Sequence, residues 1–207
     1  DNQDICVLEK KDNKINISTK NSYNLKKSTN VESQLTPYPY NHWMIKEIYD
    51  QLESSKRAIS NGGRLFDDNK VKLGGLETSK DKLIKIKNLI LLGCGTSYFA
   101  GLTSMKYFKE LCNFNTIQIF DGAKFNSEDI PKVGETALLL LSQSGETKDL
   151  HRCIQIGNDN NLFIIGVVNV VDSLIARESN CGCYLNAGRE VAVASTKSFT
   201  SQVIILS

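Results

Sequence analysis

Short apolar runs alternate with amphipathic stretches along the second half of the chain. Unbroken apolar runs are typical of strands that are buried on both faces, as in a parallel sheet. Stretches in which apolar residues recur every three or four positions predict helices. Strands are predicted at residues 88–92, 116–120, 136–141, 162–169 and 182–185. Helices are predicted at residues 97–112, 147–157 and 172–178, with another from about Val191 onward.

This alternation predicts an α/β fold with a doubly wound, mostly parallel five-stranded sheet flanked by helices. Ligands of such sheets bind at the carboxyl ends of the strands, so the loops that follow the strands are the places to look for chemistry. The helix predicted at 97–112 carries one apolar stripe, which we interpret as core packing. The stripe consists of Tyr98, Leu102, Met105, Phe108 and Cys112.

The first part of the chain has a different character. Residues 4–18 alternate in a way that predicts a short hairpin, with Asp12 and Asn13 as its turn. Residues 19–40 are polar and rich in Asn, Ser and Lys, and they are interpreted as a linker. A helix is predicted from Asn41, followed by an irregular or hairpin connection. Its apolar face consists of Ile45, Ile48, Leu52 and Ile59.

The turn after the third predicted strand is the most informative segment. It gathers three hydroxyls, a carboxamide and one glycine at the expected start of a helix, in the order Ser142-Gln143-Ser144-Gly145-Glu146-Thr147. Helix N-termini attract anions through free N–H groups and the positive end of the dipole. The turn contains no lysine or arginine, which suits a small phosphate ester. The alternative is an ordinary helix start capped by serine.

Two further loops are expected at the same edge of the sheet. The first, Gly93-Cys94-Gly95-Thr96-Ser97-Tyr98, follows a strand and opens a helix. A dinucleotide fingerprint would need glycine in place of Tyr98, so hydroxyl recognition of a polyol is favoured. The other loop contains Ala194 and Ser195 among small residues, which either admit a ligand or pack a helix. Lys197 is interpreted as a surface or capping residue.

Composition restricts the class of protein. The 207 residues carry a net charge of +2, and no basic patch with interleaved aromatics points to nucleic acid. No apolar run reaches the ~20 residues that span a bilayer. Six cysteines and two histidines in this arrangement predict free thiols, no metal and no cofactor, as in a cytoplasmic protein. Both ends of the chain look cut, so we expect a fragment of a longer protein.

Four motifs in order over residues 40–207 resemble the first sugar-isomerase (SIS) subdomain of the glutamine–fructose-6-phosphate aminotransferase family, eukaryotic-type branch. The motifs are GCGTSY, SQSGET, NVVDSLIARESNCG and AVASTKSFTSQ. The resemblance implies a flavodoxin-like SIS fold. It also implies that residues 1–40 are the end of a glutaminase domain plus a linker, that 41–78 are a helical entry and connection, and that 79–207 are the SIS domain, truncated at its C-terminal end.

The resemblance also assigns site residues by motif. Four of them would hold the 6-phosphate of a hexose: Ser142, Gln143, Ser144 and Thr147. Four would line the sugar: Cys94, Gly95, Thr96 and Ser97. Three would close the site: Val193, Ala194 and Ser195. The departures from the family pattern are Asp172 and Ala192, where glycine is usual, and Arg189, where proline is usual.

The implied function is that of a fragment of the enzyme that makes glucosamine 6-phosphate from fructose 6-phosphate and glutamine in hexosamine biosynthesis. The family's catalytic residues lie in a second SIS subdomain, in a neighbouring subunit and at the N-terminus of the glutaminase domain. We therefore expect no catalytic residue in this chain and no activity from it alone. The expected partners are a hexose 6-phosphate, the two missing domains and, at full length, further copies of the protein, without nucleic acid or membrane.

Two alternatives remain open at this stage. One is a non-catalytic SIS module that senses a phosphosugar, as in bacterial regulators, which a neighbouring helix-turn-helix would favour. The other is a one-domain phosphosugar isomerase, which would need an acid–base pair near the loops. Glu146 and Glu190 are the candidates for that pair, unless they complement helix starts instead.

Overall fold

The computed structural model describes residues 5–19, 36–68 and 70–207. It divides into two units, Asp1–Leu35 and Thr36–Ser207. In the first unit, strands β1 (Cys6–Lys11) and β2 (Lys14–Thr19) form the predicted antiparallel hairpin. Asp12 and Asn13 both have positive φ, 47° and 60°, as a two-residue type I′ turn requires. Most of the predicted linker lies outside the described residues.

The second unit contains the predicted alternation of strands and helices. Two helices and a small hairpin come first: α1 Trp43–Tyr49, α2 Gln51–Ala58, β3 Leu65–Asp67 and β4 Lys70–Val71. Two short helices and the strand–helix repeats follow: α3 Gly74–Glu77, α4 Lys80–Leu83, β5 Asn88–Gly93, α5 Thr96–Leu111, β6 Thr116–Asp121, β7 Thr136–Ser142, α6 Lys148–Asp159, β8 Phe163–Val168, α7 Leu174–Glu178, β9 Cys181–Tyr184 and α8 Lys197–Leu206.

The five long strands form one parallel sheet in the order β6-β5-β7-β8-β9. The chain moves outward from β5 to β6 and then crosses to the other side of β5 to form β7. Between β5 and β7 the direction of winding therefore reverses, which is where open α/β sheets bind ligands. The predicted α/β class and five-stranded parallel sheet are confirmed.

The apolar runs form the core because β5 and β7 are buried along their whole length. Successive side chains on a strand point to opposite faces, so a strand covered on both faces must be apolar at every position. Leu89 and Leu91 belong to one layer of the core, whereas Ile90 and Leu92 belong to the other. Helix α6 covers the second layer with Leu150 and Ile154.

Helix α5 turns a different face to the core than its apolar stripe predicted. The buried residues are small ones: Ser97, Ala100, Gly101 and Ser104. A Cβ on Gly101 would lie 2.8 Å from the Ile119 side chain and 2.9 Å from that of Leu141, so the helix backbone lies directly on the sheet. Leu102, from the predicted stripe, is 41% exposed. The interpretation of that stripe as core packing was wrong for Leu102 and Cys112, which are exposed, whereas Phe108 is partly buried and packs against the core. Close approach to the sheet leaves the positions directly over it to small side chains.

The helix predicted from about Val191 begins only at Lys197. Residues 185–196 instead form an irregular segment that connects β9 to α8. Helix α8 packs against α2 and α5. The apolar face predicted for residues 41–59 is also exposed, with Leu52 at 68%. Helix α1 buries Glu47, and helix α2 buries Ser54 and Ala58.

Helix α3 covers the edge strand β9 through an approach that only glycine allows. A Cβ on Gly75 would lie 1.9 Å from the carbonyl oxygen of Gly182, whereas a Cβ on the neighbouring Gly74 would meet nothing within 4 Å. We expect Gly75→Ala to lower the free energy of unfolding by about 2 kcal/mol, because α3 must move off the strand. Urea unfolding followed by circular dichroism measures this change.

Gly74→Ala is the matched control for that prediction. It adds the same methyl group one residue earlier in the same helix, and we expect stability to be unchanged or raised by up to about 1 kcal/mol. Equal effects of the two substitutions would contradict the close contact between α3 and β9.

Candidate functional site

Two of the three predicted loops meet at the carboxyl edge of the sheet. Strands β5 and β7 are hydrogen-bonded neighbours, and Gly93 pairs with Leu141 at their ends. The loop 93–96 and the turn 142–147 therefore start side by side at the reversal point of the sheet. This position was predicted from the sequence, and it is the usual ligand position for the fold.

The turn 142–147 is built around the hydroxyl of Ser142. Ser142 is 1% exposed, and its Oγ accepts a hydrogen bond from the Gly145 N–H at 2.9 Å. The same Oγ lies 2.9 Å from Thr147 Oγ1. Ser144 is half-buried, and its Oγ accepts from the Glu146 N–H at 3.1 Å. Ser142 thus holds the turn from within, while the hydroxyl hydrogen of Ser144 remains free to donate.

Gly145 packs against the segment that precedes α7. Its φ is 69°, and a Cβ there would lie 2.0 Å from Ser173 Oγ. The Ile175 N–H donates to the Gly145 carbonyl at 3.0 Å, and the Leu174 N–H donates to Glu146 Oε1 at 2.8 Å. The carboxylate of Glu146 is therefore engaged at the start of α7. Only a glycine allows the turn both this backbone conformation and this contact.

The turn leads directly into α6, whose first-turn N–H groups point toward the same edge. Thr147 is the N-cap and makes no side-chain hydrogen bond to the helix backbone. The first N–H groups of a helix have no intrahelical partner and lie at the positive end of its dipole. Lys148 and Asp149 are both exposed in the first turn. Anion binding by these neutral donors stays a prediction from the sequence.

The loop after β5 offers a thiol, a glycine and two hydroxyls. Gly95, with φ 56°, and Thr96 are exposed, whereas Cys94 is half-buried. Burial raises the pKa of the Cys94 thiol above its ordinary value, so this side chain is uncharged at neutral pH. Ser97 is buried, and its Oγ accepts from Gln202 Nε2 at 3.0 Å. Its hydroxyl therefore joins α5 to α8.

Two cavities bear on the position of the site. A cleft of about 370 Å³ opens beside the β5 loop and is lined by Gly95, Tyr98, Phe99, Ile119, Phe120, Asp121 and Lys124. A larger cavity, about 690 Å³, lies at the opposite edge of the sheet and includes Thr136 and Phe163 from the strand starts. None of the predicted site residues lines that larger cavity.

The third loop is not hydrogen-bonded to the other two loops within the described residues. Val193 is fully exposed, and Ser195 Oγ donates to Glu190 Oε2 at 3.1 Å. The Thr196 N–H donates to Glu190 Oε1 at 2.8 Å, so Glu190 complements the start of α8. Within the described residues, no hydrogen bond joins Val193, Ala194 or Ser195 to the turn 142–147 or to the loop 93–96.

Lys197 was interpreted as a surface or capping residue, and this was wrong. It is 4% exposed, and its Nζ donates to Asp50 Oδ2 at 3.1 Å, while Lys46 donates to the same oxygen at 2.7 Å. The hydrogen bonds from the two lysines hold the pKa of Asp50 below its usual value, although burial alone would raise it. The charge of Lys197 therefore joins α8 to the end of α1 rather than serving a ligand.

The residues that shape the third loop were missed by the sequence reasoning. Glu47 accepts hydrogen bonds from Val191 and Ala192. Arg57 Nε donates to the carbonyl of Asn186 at 3.0 Å. The available signal was the polar face opposite the apolar stripe of residues 41–59, since it contains Glu47 and Arg57.

Three residues depart from the family pattern: Asp172, Arg189 and Ala192. Asp172 has φ 58°, the left-handed conformation that glycine adopts most easily. The Ala192 N–H is engaged by Glu47, and Arg189 is exposed.

The cysteines and other potential ligands form no metal centre in the part of the chain that the structure describes. All six cysteines are free thiols, as predicted. Burial raises the pKa of Cys153 to about 12 and that of Cys183 to about 11. Among the described helices, none combines the length and apolar character that crossing a bilayer requires.

Comparison with known proteins defines the class. Residues 82–207 match the SIS domain family, and the chain belongs to that family. A probable glutamine–fructose-6-phosphate aminotransferase (isomerizing) of Acanthamoeba polyphaga mimivirus is 42% identical over 98% of this chain. The glutamine–fructose-6-phosphate aminotransferase (isomerizing) of Chlorobaculum tepidum is 32% identical over 97% of this chain. The chain spans only 33% and 34% of the lengths of these two relatives.

A solved structure supports the same family and fold. The C-terminal domain of glucosamine-fructose-6-phosphate aminotransferase from Francisella tularensis superposes with a TM-score of 0.74 at 29% identity. The match covers 84% of this chain and 47% of that domain. The resemblance inferred from the four sequence motifs is confirmed.

Proposed function

We propose that this chain is the part of a glutamine–fructose-6-phosphate aminotransferase that binds the phosphate of fructose 6-phosphate. The observation that carries the proposal is the turn 142–147, which joins β7 to the N-terminus of α6 at the reversal point of the sheet. Free backbone N–H groups, hydroxyls and a helix dipole converge there, and together they suit a small dianion.

The residues of the site take different parts in this proposal. Ser144, Thr147, Gln143 and the first N–H groups of α6 donate to the phosphate oxygens. Ser142 holds the turn in shape through its bonds to Gly145 and Thr147. The sugar lies along the β5 loop against Cys94, Gly95, Thr96 and Ser97. Val193, Ala194 and Ser195 close over it from the third loop.

Proton transfer between carbons 1 and 2 of the sugar needs a base that faces the substrate. The two candidate carboxylates are committed elsewhere, because Glu146 accepts from Leu174 and Glu190 accepts from Thr196. Both therefore complement helix starts, which argues against the one-domain isomerase. The bound phosphate instead serves as a remote handle that positions the sugar for groups supplied by other parts of the enzyme.

The proposal also concerns the other domains of the enzyme to which this chain would belong. We assign the missing groups to a second SIS domain and a glutaminase domain of the same protein, in a homo-oligomer in the cytoplasm. The aminotransferase relatives are about three times as long as this chain, which leaves room for such domains. The alternative function is phosphosugar sensing without catalysis. Glutamine-dependent formation of glucosamine 6-phosphate by the full-length protein would separate the two.

The function can be tested through Ser144. We expect Ser144→Ala to weaken the binding of fructose 6-phosphate about tenfold or more, because a hydrogen bond to a charged oxygen contributes about 1.5–3 kcal/mol. The affinity for fructose should not change, since fructose has no phosphate. Calorimetric titration of both sugars measures the difference.

Ser127→Ala removes an exposed hydroxyl from outside the three loops and should leave both affinities unchanged. Equal losses for fructose and fructose 6-phosphate, or no loss for either, would show that the turn only caps a helix.

A further inference from the structure

The third loop is held by a buried carboxylate that lies outside the family-matched region 82–207. Glu47 belongs to α1 and is 1% exposed. Its Oε1 accepts from the N–H groups of Val191 and Ala192, and its Oε2 lies 3.3 Å from the Ala192 nitrogen. The two partners are 144 and 145 residues away in the chain.

A carboxylate so deeply buried must be hydrogen-bonded, because desolvation of an unpaired charge is very unfavourable. Within the described residues, no lysine, arginine or histidine forms an ion pair with Glu47. Its described partners are backbone N–H groups of the loop. Hydrogen bonds to an ionised acceptor are roughly twice as strong as neutral ones. The negative charge of Glu47 therefore stabilises the backbone position of residues 191–192 through hydrogen bonds to their N–H groups.

Hydrogen bonds with two other side chains also hold this segment, before residues 193–195 and at their end. Before them, the Asn169 side chain accepts from the Ala187 N–H at 2.9 Å and donates to the Gly188 carbonyl at 2.7 Å. At their end, Glu190 accepts from the hydroxyl of Ser195, which is the last of the three, and from the N–H of Thr196. Val193 and Ala194 are both exposed and lie between Glu47's partners and those of Glu190.

We infer that Glu47 is a positioning residue for the sugar site. It fixes residues 191–192 and so presents Val193, Ala194 and Ser195 for closure over the sugar. It makes no hydrogen bond with the turn 142–147 within the described residues. The inference rests on the proposed function, because it assigns the third loop to the sugar and the turn to the phosphate. It also makes the α1–α2 segment a functional part of the domain rather than a simple entry to it.

The test compares two ligands that depend on different loops. Glu47→Gln keeps the shape of the side chain, removes its charge and places an amide NH2 group beside the N–H donors of the loop. We expect the affinity of the 207-residue chain for fructose 6-phosphate to fall about tenfold, as for loss of a hydrogen bond to a charged group. The affinity for inorganic phosphate, which needs only the turn 142–147, should be unchanged. Calorimetric titration measures both.

Glu53→Gln is the matched control, because Glu53 is an exposed glutamate of α2 that pairs with Lys56. We expect it to change neither affinity. Hydrogen exchange provides a readout that does not depend on ligand, since the amides of Val191 and Ala192 should exchange faster in Glu47→Gln alone. Glu47→Asp retains the charge with a shorter reach, and it should give intermediate values of both the sugar affinity and the exchange rate.

The outcomes separate the inference from the proposed function. Equal loss of both ligands, or no loss of fructose 6-phosphate in a folded Glu47 variant, overturns the inference and leaves the phosphate site in place. Should Glu47→Gln fail to fold, an unchanged sugar affinity in Glu47→Asp would overturn it equally. Failure of the wild-type chain to bind fructose 6-phosphate overturns the proposed function, and the inference with it.

Discussion

Replacing Gly145 by alanine is expected to destabilise the second unit by about 3 kcal/mol and to abolish phosphate binding. Two effects add: the residue has φ 69°, where a side chain is strained by about 1–2 kcal/mol, and its Cβ would lie 2.0 Å from Ser173 Oγ. Relief of such overpacking typically costs a further 1–3 kcal/mol. The turn must then move away from α7, which carries Ser144 out of place. Urea unfolding and titration with inorganic phosphate measure the two effects.

Gly62→Ala is the control that separates backbone strain from steric overlap. Gly62 also has positive φ, 93°, but a Cβ there would meet nothing within 4 Å. We expect it to lower stability by only about 1 kcal/mol and to leave phosphate affinity unchanged. If Gly145→Ala behaved like Gly62→Ala in both measurements, the contact between the turn and Ser173 would not matter for the site.

Thr147→Glu is expected to weaken fructose 6-phosphate binding by roughly a hundredfold or more. Two unit charges 4 Å apart repel by about 4 kcal/mol at the effective dielectric constant of a protein surface. The substitution also removes the hydroxyl that contacts Ser142. Stability should change little, because a carboxylate at the start of α6 is favourable to the helix dipole. Calorimetric titration at low ionic strength tests the affinity.

Ser127→Glu adds the same charge at an exposed position outside the three loops and should leave the affinity unchanged. Thr147→Val removes only the hydroxyl and should weaken binding about tenfold. A Thr147→Glu protein that still bound fructose 6-phosphate with wild-type affinity would place the phosphate elsewhere.

The sequence predicted the sheet and the turn 142–147 for the same reason. Both depend on residues that are contiguous in the chain. An apolar run such as Leu138–Leu141 indicates burial on both faces without knowledge of what covers it. The turn 142–147 contains its own glycine and hydroxyls, and its main internal bonds join residues two to five positions apart. Asp12 and Asn13 likewise specify their hairpin turn locally.

The wrong predictions concern residues whose surroundings are set by parts of the chain that are distant in sequence. Which face of α5 is buried depends on how closely the helix approaches the sheet. Gly101 lies directly against the sheet, whereas the larger Leu102 is exposed. Lys197 is buried because Asp50, 147 residues earlier, lies opposite it. Hydropathy along a helix shows only that its faces differ. It does not show which neighbour each face will meet.

The sequence by itself therefore determined the class of fold, the order of the main strands and helices and the position of the turn 142–147, because strand pleat, helix period and turn chemistry operate over a few residues. Only the tertiary structure decided how the third loop is held. Glu47, Arg57 and Asn169 reach it from other elements, and each contributes through hydrogen bonds to backbone groups of the loop. Every residue presents a backbone carbonyl, and every residue except proline presents an N–H, so side-chain identity in the loop gives no sign of where its partners lie.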